Sequence, residues 1–261
     1  MTRLPISACI IAGNEAHRLG RTLESVQAWV SEIVLVIDDK VNDGTDKVGE
    51  THGARVFCQP WRGHAAHRNF ATAQAAQPWI LAIDADEVVS DRLREEIMAC
   101  FKAGAGHESP AAYSFPRLSY FCGRWIRHGD WYPDRKARLW RKGAGEWVGD
   151  PHERLVVRGQ TVPLRGDLLH YSNESIDQFL GKMAPITSLF VSQYKEKNRP
   201  AGWLDLTFRP FWKFFRAYII RLGFLDGWPG YLIASANAFS TMVRYAKARE
   251  AEIDKNQAID S

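Results

Sequence analysis

The sequence predicts an α/β domain built on a mixed, mainly parallel central sheet, followed by a helical C-terminal appendage. Short apolar strands alternate with amphipathic helices through the first 90 residues, which is the pattern of βαβ units with right-handed crossovers. From residue 175 onward, apolar residues recur at helical spacing and strand patterns stop. We therefore predict one domain over 1–172, with halves at 1–90 and 91–172, and an appendage over 173–261.

The first half is predicted to contain four strands and three helices. Two of the strands, at 33–37 and 79–83, are apolar without alternation, which predicts strands buried on both faces. The remaining elements are strands over 6–12 and 54–59, helices after Glu15 and after Thr45, and a helix over 64–77.

The pattern changes after residue 90. We predict a helix over 90–101, and then strands joined by short turns, which favours mixed or antiparallel pairing. These strands span 111–120, 135–140, 154–157 and 162–170. The appendage is predicted as a helix from Ser175 kinked at Pro185, an apolar stripe over 211–222 and a last helix over 231–250.

Three carboxylates follow the strand at 79–83, namely Asp84, Asp86 and Glu87. Ligands of open α/β sheets bind at the carboxyl ends of strands. Hard oxygen ligands at this density suit Mg²⁺ or Mn²⁺, especially when a phosphorylated substrate supplies further oxygens. The alternative is an acidic strand-to-helix turn that caps the helix starting near Ser90.

Several short segments, taken in this order, resemble family-2 glycosyltransferases. They are Asn14-Glu15, Val36–Asp39 with Asn42–Thr45, His67–Ala71 and Ile83–Glu87. Later segments resemble a bacterial subgroup whose known members include lipopolysaccharide inner-core β-glucosyltransferases; these are Gly145–Gly149, His152-Glu153, His170–Ser172 and Gly223–Gly227. One departure is Asp39–Val41, which is bulkier and more charged than the small residues usual in the family.

The resemblance implies a GT-A fold, in which 1–90 binds the donor and 91–172 the acceptor. It implies an inverting, metal-dependent transfer of a hexose, glucose from UDP-glucose, to a lipid-linked envelope glycan such as the lipopolysaccharide inner core. The nearest alternative is a transferase that builds exopolysaccharide or a polyprenyl-linked glycan. From another class, a non-catalytic protein that binds sugar nucleotides or polyanions stays open, although such a protein needs no acid pair to hold a leaving group.

The resemblance also implies roles in donor binding. Asp86 is expected to coordinate the cation, and Asp84 to contact the ribose or the cation through water. Asp38 can accept hydrogen bonds from a base or ribose, or it can cap the following loop. Glu15 is expected to flank the same pocket, unless it is a solvated helix start. Arg68 has a guanidinium that matches phosphate oxygens, although a surface ion pair explains it almost as well.

The general base is assigned to Glu153, which precedes an apolar strand and lies near aromatic residues. Its competitors are Glu87, Asp130, Asp134 and Asp150. His152 is either structural or an acceptor contact. His170 either binds the metal or a phosphate group, or it is a histidine packed in the core.

Aromatic and basic residues are dense between 124 and 147. The basic residues fit a phosphorylated or acidic acceptor, and aromatic faces pack on sugars, whereas a basic edge strand and core packing are the alternatives. The residues are Trp125, Trp131, Tyr132, Trp147, Arg124, Arg127, Arg135, Lys136 and Arg138.

The tail combines basic and aromatic residues, with ten Lys/Arg, three Asp/Glu and twelve aromatics between Lys195 and Arg249. This composition predicts helices that rest on an anionic membrane surface; a helical lid and a dimer interface are the alternatives, so a homo-oligomer stays open. Net charge is only +4, and we expect no nucleic acid partner. Scattered cysteines and the absence of a signal-peptide pattern predict a cytoplasmic protein, peripheral on the cytoplasmic face of the inner membrane.

Overall fold

The computed structural model describes residues 3–104, 110–149, 153–173, 175–195 and 201–259. The chain forms two compact units. The first, here called the α/β unit, comprises residues 1–117 and 134–170. The second, the helical unit, comprises residues 118–133 and 171–261. The segment 118–133 thus groups with the C-terminal helices, whereas the predicted domain over 1–172 contained it.

The first half of the α/β unit has the predicted alternation of strands and helices. Its elements are β1 Leu4–Ala12, α1 Ala16–Gln27, β2 Val30–Asp38, α2 Thr45–Thr51, β3 Arg55–Gln59, α3 His64–Gln74 and β4 Trp79–Asp84. The four strands pair in parallel in the order β3-β2-β1-β4. This arrangement aligns the carboxyl ends of β1, β2 and β4 along one edge of the sheet.

The remaining elements extend the sheet and make it mixed. They are β5 Glu87–Val89, α4 Asp91–Lys102, β6 Ala112–Phe121, β7 Arg124–Trp125, β8 Asp134–Arg141, β9 Gly145–Val148, β10 Arg154–Val157, β11 Thr161–Pro163 and β12 Leu168–His170. The sheet continues from β4 as β8-β6-β12-β5, with β8 antiparallel to both β4 and β6. β9 and β10 form a separate antiparallel hairpin.

The parallel strands lie between two helical layers. Leu81 and Ile83 of β4 belong to an apolar cluster with residues of α1 and α4. Ile80 and Ala82, which point to the opposite face, belong to a second cluster with α3 and the β9–β10 hairpin. Burial on both faces explains the uninterrupted apolar run of this strand.

Among the differences from the sequence-based prediction, three have a clear local cause. α3 ends at Gln74 rather than at 77, because Ala75 is already extended on the approach to Pro78. The strand predicted over 162–170 is two strands, and between them Gly166 approaches α4 so closely that a Cβ would lie 2.4 Å from the Cα of Leu93. Pro185 does not kink a helix, since it lies in the first turn of a new one, where its missing N–H is not needed.

The helical unit contains α5 Ile176–Gly181, α6 Met183–Lys195, α7 Trp203–Phe215, a π-helical turn Arg216–Ile220, a 3₁₀ turn Gly223–Asp226 and α8 Gly227–Ile259. Asp226 is buried and accepts hydrogen bonds from the backbone N–H groups of Arg127 and His128 at 3.2 and 2.8 Å. The glycines beside it allow close packing: a Cβ on Gly230 would lie 2.0 Å from the carbonyl oxygen of Gly223. Within the described ranges, no helix is both long and apolar enough to cross a bilayer.

The helical unit exposes large apolar side chains along α7 and the turns that follow it. On α7, Leu204, Phe208, Phe211 and Phe215 recur at helical spacing and are 37–73% exposed. Further exposed residues extend this surface, and we call the whole surface, including the four α7 residues, the apolar face. The further residues are Trp203, Trp212, Ile219, Ile220, Leu222, Phe224, Leu225, Trp228 and Tyr231. Contiguous apolar patches of this kind mark interaction sites.

In the helical unit, the side chain of Asp130 is only 8% exposed and lies among three cations. Lys213 Nζ lies 2.6 Å from Asp130 Oδ2, and Arg221 Nη1 and Arg216 Nη2 lie 2.9 and 3.3 Å from Oδ1. Burial acts to raise the pKa of Asp130, but Lys213 and the two arginines outweigh it and hold the pKa below the usual range.

Asp130→Asn should therefore lower the free energy of unfolding by about 1–3 kcal/mol at neutral pH, because three cations lose their common anion. A depressed folded-state pKa stabilises the protein above the unfolded-state pKa of about 4, and this stabilisation is lost as the pH falls through the folded-state value. The difference between wild type and variant should thus shrink in urea titrations run from pH 7 towards pH 3. Glu250→Gln, at an exposed position of α8, is the control; an Asp130→Asn deficit that is independent of pH would contradict an electrostatic cause.

Candidate active site

The carboxyl ends of β1 and β4 open into a cavity of about 240 Å³, which we call the strand-end cavity. Ile11 pairs with Asp84 across these two strands, so both end at the same level and the residues that follow converge. The lining consists of Ile11–Gly13, Glu15, Trp61, His64, Arg68, Asp84–Asp86, Glu153 and His170. The cavity therefore brings together six of the seven predicted site residues, all except Asp38.

Two buried arginines hold the carboxylate of Asp84. Arg68 Nη2 donates to Oδ1 at 2.5 Å and Arg138 Nη2 donates to Oδ2 at 3.2 Å. Both guanidinium groups also lie against the ring of Trp147, at 4.7 and 5.4 Å from a ring centroid, within the range of cation–π attraction. Arg68 is only 5% exposed, so it belongs to this cluster and is not a surface ion pair.

Glu87 is fully buried beneath the same cluster. Its Oε2 accepts a hydrogen bond from the backbone N–H of Asp84 at 2.8 Å, and its Oε1 lies 3.6 Å from Arg138 Nη2 and 3.6 Å from Arg117 Nη1. Glu87 lines neither this cavity nor the one described next. This position gives it a supporting role beneath Asp84.

The opposite charges in this cluster keep Asp84 and Arg138 ionised. Burial acts to raise the pKa of Asp84, but Arg68 and Arg138 more than compensate and hold the pKa far below the usual range. Burial conversely acts to lower the pKa of Arg138, and Glu87 and Asp84 raise it above the ordinary value. Asp84 is consequently a carboxylate of fixed charge and orientation.

Asp86 points into the strand-end cavity from the turn after β4. Its Oδ2 lies 3.5 Å from His170 Nε2 and 3.9 Å from Arg18 Nη1. His170 ends β12, and its backbone pairs with Glu87 in β5. This pairing brings the imidazole beside the acidic segment, which the sequence separation did not show.

The predicted motifs at the ends of β1 and β2 are joined by hydrogen bonds. The hydroxyl of Thr45 accepts from the backbone N–H of Glu15 at 2.9 Å and donates to Asp43 Oδ1 at 2.6 Å. The side chain of Glu15 forms an ion pair with Arg18. Asp38 is half-buried at the end of β2, where its Oδ1 accepts from the Lys40 N–H at 3.2 Å.

Glu153 lies at the boundary between the strand-end cavity and a second cavity of about 370 Å³. This second cavity, called here the basic cavity, is lined by Asp84, Trp147, Glu153, Leu155, Ala137 and five cationic residues, Arg117, Arg135, Lys136, Arg138 and Arg154. Glu153 Oε1 lies 3.6 Å from Arg68 Nη2. Glu153 and Asp84 are the two carboxylates that line both cavities.

The other predicted candidates lie elsewhere. Among the residues predicted to wall an acceptor site, Trp125, Trp131, Tyr132, Arg124 and Arg127 belong to the helical unit. Among the competing bases, Asp130 is held by cations of the same unit, and Asp134 pairs with Arg117 at 2.8 Å and with Lys136 at 3.1 Å. Asp150 and His152 lie outside the described residues.

Two further residues of this site had no individual role assigned from the sequence. Asn69 exchanges two hydrogen bonds with the backbone of Trp147, donating from Nδ2 at 2.8 Å and accepting at Oδ1 at 3.0 Å. It thereby fixes the ring against which the two arginines lie. Trp61 is 45% exposed at the wall of the strand-end cavity, where its ring lies 4.8 Å from that of His64.

Asp86 and His170 are suited to bind a cation whose remaining ligands come from a substrate, rather than to form a complete metal site with other protein residues. No group of three or more His, Cys, Asp or Glu side chains in the described part of the chain is arranged to hold a metal. Mg²⁺ and Mn²⁺, however, need few protein ligands when substrate phosphates supply oxygens. A carboxylate and an imidazole facing one cavity fit that requirement.

The comparisons identify the class of enzyme. Residues 7–154 match the model of glycosyl transferase family 2. Because the match covers more than half of the chain, the protein belongs to this family and is a glycosyltransferase. The mixed sheet between helical layers agrees with the GT-A fold predicted from the sequence.

Relatives of similar length carry the same designation. An uncharacterized glycosyltransferase from Rickettsia felis is 30% identical over 270 residues, covering 97% of this chain and 93% of its own. The lipopolysaccharide core biosynthesis glycosyltransferase LpsC from Rhizobium meliloti is 29% identical over 267 residues, covering 97% of each chain. The crystal structure of S. aureus TarS residues 1–349 matches 97% of this chain and 92% of its own with 12% identity and a TM-score of 0.47.

Proposed function

We propose that this enzyme is an inverting, cation-dependent hexosyltransferase that moves glucose from UDP-glucose to a lipid-linked envelope glycan such as the lipopolysaccharide inner core. The observation that carries the proposal is the shared boundary of the two cavities, at which Asp84 and Glu153 lie. One cavity can then hold the donor and the other the acceptor. Similarity to LpsC supports the acceptor class, whereas uridine and glucose rest on the family resemblance.

The donor is assigned to the strand-end cavity, at the strand ends where ligands of open α/β sheets bind. In this assignment Glu15 contacts the base or ribose and Arg68 contacts the diphosphate from the cavity lining. Asp38, which ends β2 outside that lining, contacts a part of the base or ribose that extends beyond the cavity. Trp61 offers an exposed aromatic face at the wall of the cavity, on which a base or sugar can pack.

Two acids of the β4 end have distinct roles in this proposal. A divalent cation held by Asp86 and His170 would neutralise the negative charge that develops on the departing nucleoside diphosphate. Asp84, whose orientation is fixed by Arg68 and Arg138, contacts the ribose directly or the cation through water.

Transfer then needs one base and no protein nucleophile. The acceptor oxygen forms a bond to the anomeric carbon while the bond from that carbon to the diphosphate oxygen breaks. Glu153 takes the proton of the attacking hydroxyl. A single displacement of this kind inverts the anomeric configuration.

Calorimetric titration with UDP, ADP, GDP, CDP and dTDP tests the donor assignment, first with Mn²⁺ and then with EDTA. We expect UDP to bind in Mn²⁺ and to lose most of its affinity in EDTA, because Asp86 and His170 would hold a cation that offsets the negative charge of the diphosphate. Absence of nucleotide binding under both conditions would contradict the transferase mechanism proposed here.

The apolar face is assigned to an anionic membrane surface, where a lipid-linked acceptor would be anchored. Basic side chains lie in the same unit: Lys213, Arg216 and Arg221 are 34–47% exposed and outnumber Asp130, with which all three pair. Aromatic and apolar residues beside basic ones are the composition of helices that lie in a lipid interface. The enzyme would accordingly work as a peripheral protein at the cytoplasmic face of the inner membrane.

The double substitution Leu204→Glu/Phe208→Glu should weaken sedimentation with phosphatidylglycerol-containing vesicles by about tenfold or more, because it removes two apolar side chains and adds two negative charges. Val156→Glu, a similar change at an exposed position of the α/β unit, should leave binding unchanged. If the wild-type protein does not sediment with vesicles but forms a dimer in light scattering, the apolar face is a protein interface instead.

A further inference from the structure

The basic cavity holds more positive charge than its carboxylates neutralise. Arg138 pairs with Asp84, and Arg117 and Lys136 pair with Asp134. Counting the groups that line the cavity and their ion-pair partners gives six cations, Arg68, Arg117, Arg135, Lys136, Arg138 and Arg154, and four carboxylates, Asp84, Glu87, Asp134 and Glu153. The surplus is two positive charges, and it faces a cavity of about 370 Å³.

The surplus is concentrated at the open side of the cavity. Arg135, Lys136 and Arg154 are exposed, whereas Arg138 is buried. Arg135 donates to the backbone oxygen of Leu164 at 2.8 Å, which fixes its guanidinium without neutralising it. Arg154 makes no ion pair with any other described residue. The cations best placed to meet an incoming anion are thus Arg135, Lys136 and Arg154.

We propose that the basic cavity binds the phosphate group of a phosphorylated sugar, which is the acceptor of the reaction. This inference rests on the proposed function and specifies its acceptor. A phosphate monoester carries about −1.5 to −2 charge near pH 7, which matches the surplus, and guanidinium groups match its oxygens in geometry. Because Glu153 also lines this cavity, a hydroxyl of the same sugar can reach the base.

Calorimetric titration of the full-length protein with glucose 6-phosphate tests the site. Lys136→Gln/Arg154→Gln should lower the affinity by about tenfold to a hundredfold, since a hydrogen bond to a charged group typically contributes that much. Arg158→Gln, an exposed arginine outside the cavity, is the matched control and should bind as the wild type does. Circular dichroism verifies that all three proteins are folded.

Glucose and glucuronate are the comparison ligands. Glucose should bind at least tenfold more weakly than glucose 6-phosphate, because it lacks the anion. Glucuronate tests phosphate against carboxylate, and equal or tighter binding of glucuronate would overturn the phosphate assignment. Failure of the wild type to bind glucose 6-phosphate, or equal affinity in the wild type and the double variant, would overturn the site.

A UDP titration of the same proteins separates this inference from the proposed function. The strand-end cavity is intact in Lys136→Gln/Arg154→Gln, so UDP affinity in Mn²⁺ should be unchanged. Loss of sugar phosphate binding with UDP binding retained locates the defect in the basic cavity. Wild-type protein that binds glucose 6-phosphate but no nucleotide would contradict the proposed transferase mechanism and leave the phosphate site in place.

Discussion

Glu153→Gln should reduce the rate of sugar transfer by about 10²–10⁴-fold while leaving UDP affinity within about twofold of the wild type. The reduction is the usual contribution of a general base. Glutamine keeps the shape of the side chain but cannot take the proton of the acceptor hydroxyl. The measurement is a single-turnover transfer assay with membrane-extracted acceptor, combined with a calorimetric UDP titration.

The control for this variant is Glu146→Gln. Glu146 is exposed on the same β9–β10 hairpin and lines neither cavity, so its removal tests a general effect of charge on the hairpin. Full activity of Glu153→Gln would transfer the base role to another acid. Loss of UDP binding together with activity would instead indicate that Glu153 supports Arg68, from which it lies 3.6 Å.

Asp86→Ala should abolish the Mn²⁺-dependent part of UDP binding and reduce transfer by at least about 10³-fold. The expected size reflects the loss of a charged ligand together with the charge stabilisation that the cation supplies in the transition state. Calorimetry in Mn²⁺ and in EDTA measures the cation-dependent part of UDP binding, and the transfer assay measures the loss of rate. The variant should give the same UDP affinity in both.

Asp91→Ala is the matched control, because Asp91 is an exposed acid at the start of α4 whose ion pair is with Arg94. A thermal unfolding curve close to that of the wild type is expected for both variants. Normal Mn²⁺-dependent UDP affinity in Asp86→Ala would remove Asp86 from the metal site. His170 would then be the next residue to substitute.

The sequence predicted the parallel half of the fold because its signals are local. The apolar run of β4 and the helical spacing in α1 each lie within a dozen residues. The acids at the end of β4 were visible for the same reason, and the parallel pairing of β1 with β4 then placed Glu15 and Asp86 at one cavity without further information.

The supporting contacts were not predictable because they join distant segments. Asn69 and Trp147 are 78 positions apart, and Arg138 lies 54 positions from Asp84. Trp147 and Arg138 were predicted to wall an acceptor site, but nothing along the chain indicates that they contact Asn69 and Asp84. Glu87 belongs to the same group, since its full burial depends on strands that follow it by 30 residues or more.

Asp84 and Glu153 are common to the walls of both cavities, so we expect the binding of the two proposed substrates to be thermodynamically linked. A ligand that reorients Glu153, or that brings charge close to Asp84, from one side changes the electrostatic environment of the other side, and the resulting coupling free energy acts equally in both directions. Affinity measured for one substrate alone therefore describes the binary complex, and the ternary complex has its own affinities. Kinetic analysis should therefore determine the order in which the two substrates bind, because the first substrate to bind changes the affinity for the second through this shared wall.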